Sequence, residues 1–234
     1  MVVVAVHQPN YLPWFGYFRK IAEADVFVFL DDVQFSKNSY TNRVQILADG
    51  VPRWLTVPIS AHLGDPINRV RPARKDWSRA HLDTLHARYK AAPAFRTVWP
   101  MIGEFFASLP DADIATINRH LVIKLATAFG LSRRFIRASD IPTEAATGDD
   151  RLVKLVTGIA PGACYLSGKG GANYQDPEKF LRAGLGFRYL EFVHPRYDQD
   201  IGGEFVQGLS VLDALFRLGW DRTAALVTGT LQAA

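Results

Sequence analysis

Val2-Val3-Val4-Ala5-Val6 runs directly into His7-Gln8-Pro9-Asn10-Tyr11-Leu12-Pro13. An apolar, mostly β-branched run without alternation suits a strand covered on both faces. The two prolines that follow forbid a regular strand or helix interior, so the segment after the strand reads as a shaped loop. From Trp14 to Ala24 the apolar positions Phe15, Phe18, Ile21 and Ala22 recur at helical spacing, with Pro13 just ahead of the first turn. A second apolar run, Val26-Phe27-Val28-Phe29-Leu30, follows and closes in Asp31-Asp32. Strand, loop, helix and strand in that order predict a βαβ unit with a buried parallel sheet.

Outward from this unit, Val44–Leu47 and Trp54–Val57 flank Ala48-Asp49-Gly50-Val51-Pro52. The Asp-Gly pair predicts a β-hairpin, with a loop longer than two residues. Ser60 to Lys75 reads as a long loop. Three helices are then expected: one capped by Asp76, one carrying Phe95 to Phe106 that Pro100 should kink or split, and one from Asp113 that stops at Gly130. Arg134–Ala138 reads as a strand, and Asp149 or Asp150 as the cap of the next helix. Ala163–Leu166 then runs into Ser167-Gly168-Lys169-Gly170-Gly171, repeating the strand-into-loop pattern of the start. Asp176-Pro177 opens a short helix, Phe187–Val193 is a strand, and Leu209–Leu218 a final helix ending at Gly219. The expected fold is one α/β domain over 1–234. It has a mostly parallel, Rossmann-like sheet, a β-hairpin, and a helical insertion at about 76–130.

Composition narrows the function classes. The 234 residues are 48% hydrophobic and 12% aromatic, enough for one substantial core. Lys and Arg total 27 against 23 Asp and Glu, and without a basic run this mild excess does not point to nucleic acid. The single cysteine, Cys164, excludes an intrachain disulfide framework and a multi-thiolate metal site, and fits a reducing compartment, by default the cytoplasm. The apolar start is shorter than a signal-peptide core, so an unprocessed chain is expected. No stretch approaches the roughly 18 to 20 apolar residues that span a bilayer.

In open α/β sheets ligands bind beyond the carboxyl ends of the strands. Four polar segments follow expected strands there: 7–10, 31–34, 167–174 and 194–199. His7 is a candidate general base or a cation over phosphate, the alternative being a histidine bonded to backbone in a proline-rich turn. Asp31 and Asp32 could hold Mg²⁺, a hydroxyl or an amine, or simply cap a turn. Gln8, Asn10 and Gln34 accompany them, and Asn42 with Arg43 could read a carboxylate or phosphate. Gly168-Lys169-Gly170-Gly171, with Ser167 and Tyr174, could cradle a phosphate or merely join strand to helix. It is not a P-loop, because five residues rather than four separate Gly162 from Gly168-Lys169 and the lysine is followed by Gly170. His194, Tyr197 and Gln199 form another polar cluster. Cys164 lies in an apolar strand, where a thiol behaves as a small hydrophobe. His62, His81, His86 and His120 lack zinc-binding spacing, so no zinc site is expected.

The run Val4–Phe18 with His7-Gln8-Pro9-Asn10-Tyr11-Leu12-Pro13-Trp14-Phe15-Gly16-Tyr17, and Asp25–Phe35 with Asp31-Asp32-Val33-Gln34, resembles the WbqC-like family. So do Asn42-Arg43, Trp54–Pro58, Tyr165–Gly171 with Tyr174, His194-Pro195, Tyr197 with Gln199, and Leu209–Phe216. One departure is Gln207-Gly208, where the family often has Pro-Asn. The resemblance implies a bacterial protein of surface-polysaccharide, O-antigen or specialised-metabolite biosynthesis. The activity it suggests is acyl or aminoacyl transfer to a small-molecule amine or amino sugar. The donor would be a phosphopantetheine thioester on an acyl or peptidyl carrier protein. His7 or His194 would then take the amine's proton, Asp31 or Asp32 would hold the amine, and Lys169 with the glycine amides would hold an oxyanion or phosphate. The opening unit is also similar to nucleotidylyltransferases and pantothenate synthetase, which place Gly-His where Gly16-Tyr17 stands. That similarity implies a nucleotidyltransferase or ligase using a Mg-nucleotide, and a non-catalytic sugar-nucleotide or carrier-binding protein is a third reading.

Overall fold

The structure, a computed structural model, describes residues 1–231. In chain order the first elements are β1 (Val3–His7), α1 (Phe15–Glu23) and β2 (Val26–Phe29), followed by the hairpin β3 (Arg43–Ala48) and β4 (Val51–Thr56). Two short strands, β5 (Ile59–Ser60) and β6 (Arg71–Pro72), precede the helices α2 (Trp77–Tyr89), α3 (Phe95–Ala107) and α4 (Ile114–Ala128). The chain then resumes alternation through β7 (Arg134–Arg137), α5 (Gly148–Ile159), β8 (Cys164–Ser167), α6 (Pro177–Arg182), β9 (Gly186–Tyr189) and α7 (Val211–Thr228).

Five strands form one all-parallel sheet in the order β7-β2-β1-β8-β9. The expected α/β fold with a separate antiparallel hairpin is the one observed. The apolar runs have the two-sided environment their lack of alternation requires. Ala5, Phe27 and Phe29 face Phe15, Phe18 and Ile21 of α1 and the core shared with α2, α3, α4 and α7. Val4, Val6, Val26 and Val28 face the opposite way, onto Leu155 and Val156 of α5 and Phe180 of α6. Helices α2 to α4 occupy the long connection from β2 to β7, so they leave the β1–α1–β2 unit intact.

Several details differ from expectation. The hairpin loop is two residues, because Ala48 pairs with Val51, and both Asp49 (φ 55°) and Gly50 (φ 75°) are left-handed, as a twist-matched tight turn needs. Pro100 lies inside a continuous α3. It is exposed, so solvent can serve the carbonyl that its missing N–H leaves free. Strand β9 stops at Tyr189, since its partner β8 ends opposite it at Ser167 and offers no further ladder. Helix α7 continues past Gly219, which turns the axis at φ 79°, and is capped by left-handed Gly229. Thr147 rather than Asp149 or Asp150 occupies the cap of α5. Those two aspartates serve Asp176 N and Lys179 instead. Asp76 caps no N–H and pairs with Arg74. The stretch read as a long loop contains β5, β6 and a turn of 3₁₀ helix at Ile67–Arg69.

The loop between β1 and α1 is packed inside the protein, with Pro9 to Pro13 all buried. Its carbonyls are met from distant parts of the chain. Tyr17 Oη donates to Gln8 O (2.9 Å), Asn118 Nδ2 to Pro9 O (2.8 Å) and Thr41 O (2.7 Å), and Ser210 Oγ to Leu12 O (2.7 Å). Val211 N reaches Pro13 O at 3.0 Å. Tyr11 Oη bonds His81 Nδ1 at 2.8 Å, while His81 Nε2 lies 3.1 Å from Thr56 O. A carbonyl only accepts, so Nε2 carries the His81 proton and Nδ1 accepts from the tyrosine.

Two stability tests follow from this loop. Asn118→Ala strands two buried carbonyls and is expected to cost about 2–4 kcal/mol in urea unfolding. Burial lowers the His81 pKa from 6.5 to about 4. The unfolded chain therefore takes up a proton first as pH falls, and stability declines from about pH 6.5 toward pH 4. At pH 5 the loss from this residue is about 2 kcal/mol. His81→Gln should flatten that part of the pH dependence.

Candidate functional site

A cavity of about 1060 Å³ opens at the carboxyl ends of β1 and β8. In this strand order the connections leave β1 and β8 in opposite directions, which opens a crevice between them, the place where ligands collect in open α/β sheets. Its walls are largely apolar and aromatic, with Trp14, Tyr17, Leu30, Val33, Leu152, Tyr165, Leu190 and Phe192 among them. The polar lining includes His7, Gln8, Lys20, Gln34, Asp149, Arg151, Ser167, Lys169 and Gln175.

His7 is the last residue of β1. Its Nδ1 lies 3.0 Å from Gln8 O, so that nitrogen carries the proton. The ring meets Tyr17 edge-on at 4.7 Å and Trp14 at 6.3 Å. Burial, reinforced by the Lys20 charge, pushes its pKa down to about 3. At neutral pH His7 is therefore an uncharged imidazole whose unprotonated Nε2 can accept a hydrogen bond, and not a phosphate-binding cation.

On the opposite lip, Gly168 leads into a 3₁₀ turn over Lys169–Asn173. Gly171 N bonds Gly168 O at 2.9 Å, and Ser167 Oγ donates to Gln175 Oε1 beneath the turn. Gln175 Nε2 in turn donates to Tyr165 Oη at 3.1 Å. A Cβ on Gly171 would collide with both Gln175 Oε1 and Ser167 Oγ, so any larger residue there must push these two side chains aside. Lys169 is exposed at the rim, and Tyr174 is 77% exposed beside it.

The cavity gathers His7, Gln8, Gln34, Ser167, Gly168, Lys169, Gly170, Gly171 and Tyr174. The other candidates lie elsewhere. Asp31 is buried and accepts from Ser139 N (3.0 Å) and Ser139 Oγ (2.8 Å), holding the turn after β7. Asp32 lies outside the lining but acts on it through Arg151, whose Nη2 is 2.6 and 2.5 Å from its two oxygens. Asn10 is buried in the loop. Asn42 Nδ2 donates to Val57 O, and the Arg43 guanidinium stacks 4.0 Å from the Trp54 ring.

His194, Tyr197 and Gln199 form a separate network. His194 packs edge-on among Phe15, Phe192 and Phe205, with Nδ1 3.0 Å from Pro195 O. Tyr197 and Tyr89 donate to the buried Asp213 carboxylate at 2.8 and 3.0 Å, and Gln199 Nε2 donates to Val206 O. Phe192 is the residue that both lines the cavity and touches this network. Cys164 is buried within β8 and does not line the cavity. Among the described residues, no group of three or more His, Cys, Asp or Glu side chains is placed to hold a metal ion, and no helix is long and apolar enough to cross a membrane.

Sequence reasoning missed Lys20, Arg151, Asp149 and Gln175 as lining residues. Lys20 is 3% exposed, and its Nζ donates to Val6 O at 2.8 Å. The available signal was its spacing: Lys20 follows Gly16 and Tyr17 by four and three residues, on a face that also carries apolar side chains. Gly16 is constrained too, since a Cβ there would lie 3.1 Å from the Phe192 ring.

The WbqC-like protein family matches residues 8–225. The chain belongs to this family. The match includes Gln8, Lys20, Arg151 and the glycine turn, and begins one residue after His7. A relative from Mycobacterium tuberculosis (strain ATCC 25618 / H37Rv), the uncharacterized protein Rv1507c, is 28% identical over 221 residues, spanning 94% of this chain and 95% of its own. No solved structure matches the chain.

For this WbqC-like chain, Gly171→Ala is expected to displace Gln175 and Ser167 and reshape one lip of the cavity. Fold stability should fall by about 1–3 kcal/mol. Stabilisation by any ligand that uses this lip should disappear in thermal unfolding, whereas the exposed Gly170→Ala should keep it.

Proposed function

We propose that this WbqC-like protein is a biosynthetic transferase that moves an acyl or aminoacyl group from a thioester to an amine. The observation that carries the reading is His7: an uncharged imidazole with Nε2 unprotonated, at the edge of a largely apolar crevice large enough for an extended donor and an acceptor. In the proposed reaction the acceptor amine attacks the thioester carbonyl and the C–S bond breaks. His7 Nε2 accepts a hydrogen bond from the amine N–H and orients it, and the proton the amine loses passes to the departing thiolate, so an amide and a free thiol result. Lys169 and the glycine-turn amides hold the carbonyl oxyanion or a phosphate of the donor's pantetheine arm. Asp32 acts by fixing Arg151. Asp31, bonded to Ser139, and His194, which does not line the crevice, take no part.

The proposed setting is bacterial surface-polysaccharide, O-antigen or specialised-metabolite biosynthesis, in the cytoplasm. The acceptor is a small amine or amino sugar, and the donor is a phosphopantetheine thioester on an acyl or peptidyl carrier protein. Family membership supports this setting. Nucleotidyl transfer from a Mg-nucleotide is the second reading, favoured by the position of the crevice at the strand-order reversal. It lacks the second imidazole of that chemistry. Tyr17 stands there, and its hydroxyl is spent on Gln8 O.

Thermal unfolding in the presence of acyl-pantetheine, coenzyme A, Mg-ATP, Mg-CTP and UDP- or dTDP-sugars separates these readings. A ligand at about a hundred times its dissociation constant adds about 2.7 kcal/mol, or about 5–10 °C for a chain of this size. A shift with thioesters alone supports acyl transfer, and a shift with Mg-nucleotides alone replaces it with nucleotidyl transfer. Affinity without thiol release for any amine would leave a binding protein. His7→Gln is expected to keep the thioester shift and to slow thiol release by about 10² or more.

A further inference from the structure

Lys20 is unusual for a reason the transfer reaction does not use. Among the described residues it is the only lysine in the buried set, and it forms no ion pair with a carboxylate. Its Nζ makes one hydrogen bond, to a β1 carbonyl, which leaves two donor positions and the charge unanswered. A buried ammonium without a counter-ion is costly, whereas a methionine would fill the same space without that cost.

The side chain lines the cavity beside His7. The acidic groups near that wall are already engaged: Asp149 accepts from Asp176 N, and Asp32 is paired with Arg151. Among the described residues no carboxylate pairs with Lys20, and the place where an anion could arrive is the cavity.

We propose that Lys20 forms an oxyanion subsite on the cavity wall, and that the bound ligand carries a carboxylate or phosphate that sits on Lys20 Nζ. Burial lowers its pKa to about 7, so an arriving anion also draws the amine fully into its charged form. Lys20 donates to Val6 O and His7 is the next residue of β1, so the anion and the His7 imidazole are neighbours. Resting on the transferase reading, this makes the acceptor a molecule whose amine lies close to its own acidic group, as in an amino acid or an amino-sugar phosphate.

Calorimetric titration of the whole protein with propionate, inorganic phosphate and the neutral isostere propionamide tests the subsite without any donor. Wild-type protein is expected to bind propionate or phosphate, and propionamide at least about tenfold more weakly. Preference for propionate names a carboxylate, and preference for phosphate names a phosphoryl group. Lys20→Met should lose oxyanion binding while melting at or above the wild-type temperature, and Lys20→Gln should lose it while retaining a donor for Val6 O. Equal binding of propionamide, no binding of either oxyanion, binding that survives both substitutions, or loss of folding in both would overturn the proposal. Oxyanion binding with no response to thioesters would leave the subsite standing and remove the transferase reading. The opposite pattern would remove the subsite alone.

Discussion

Irregular backbone buried in a protein core must find a donor for each carbonyl that water cannot reach, and this constraint organises the molecule around residues 8–13. The segment follows the central strand, carries two prolines, and includes Leu12 in the left-handed region at φ 41°. Such a conformation costs about 1–3 kcal/mol and persists only where the surroundings impose it. Here Tyr17 from α1, Asn118 from α4, and Ser210 with Val211 at the start of α7 impose it. The reward is a fixed position for His7 and Gln8 at the rim of the crevice. The long connection between β2 and β7 is thus part of the site's support, because α4 supplies Asn118 and α2 supplies His81.

Local pattern made the sheet legible. Val2–Val6 and Val26–Leu30 lack alternation because each strand is buried on both faces, and Asp-Gly between β3 and β4 marks a turn whose two residues both adopt positive φ. The ends of elements were less legible, since they depend on partners. Strand β9 stops where β8 stops, and α7 survives Gly219 because the residues beyond it resume helical bonding and bury Val227.

The site divides along the same line. His7 and Ser167–Gly171 were readable because they directly follow strands whose carboxyl ends share the crevice. Asp31, Asp32 and His194 also follow strands or expected strands, yet their side chains are claimed by Ser139, by Arg151 and by an aromatic cage. The first two partners lie 108 and 119 residues away, beyond the reach of any local pattern. Lys20 escaped notice for the opposite reason: a lysine in an amphipathic helix is ordinarily on the wet face, and only the three-dimensional packing turns this one inward.

The grip of Ser210 and Val211 on Leu12 and Pro13 joins positions about 198 residues apart. A nascent chain that has emerged only as far as β9 already contains every strand of the sheet and the glycine turn, but it lacks two of the donors that close the first loop, Ser210 and Val211. Contacts this distant in sequence form slowly, after the intervening chain has been ordered. The crevice is consequently completed late in folding, even though its first wall is the first of the sheet's strands in chain order.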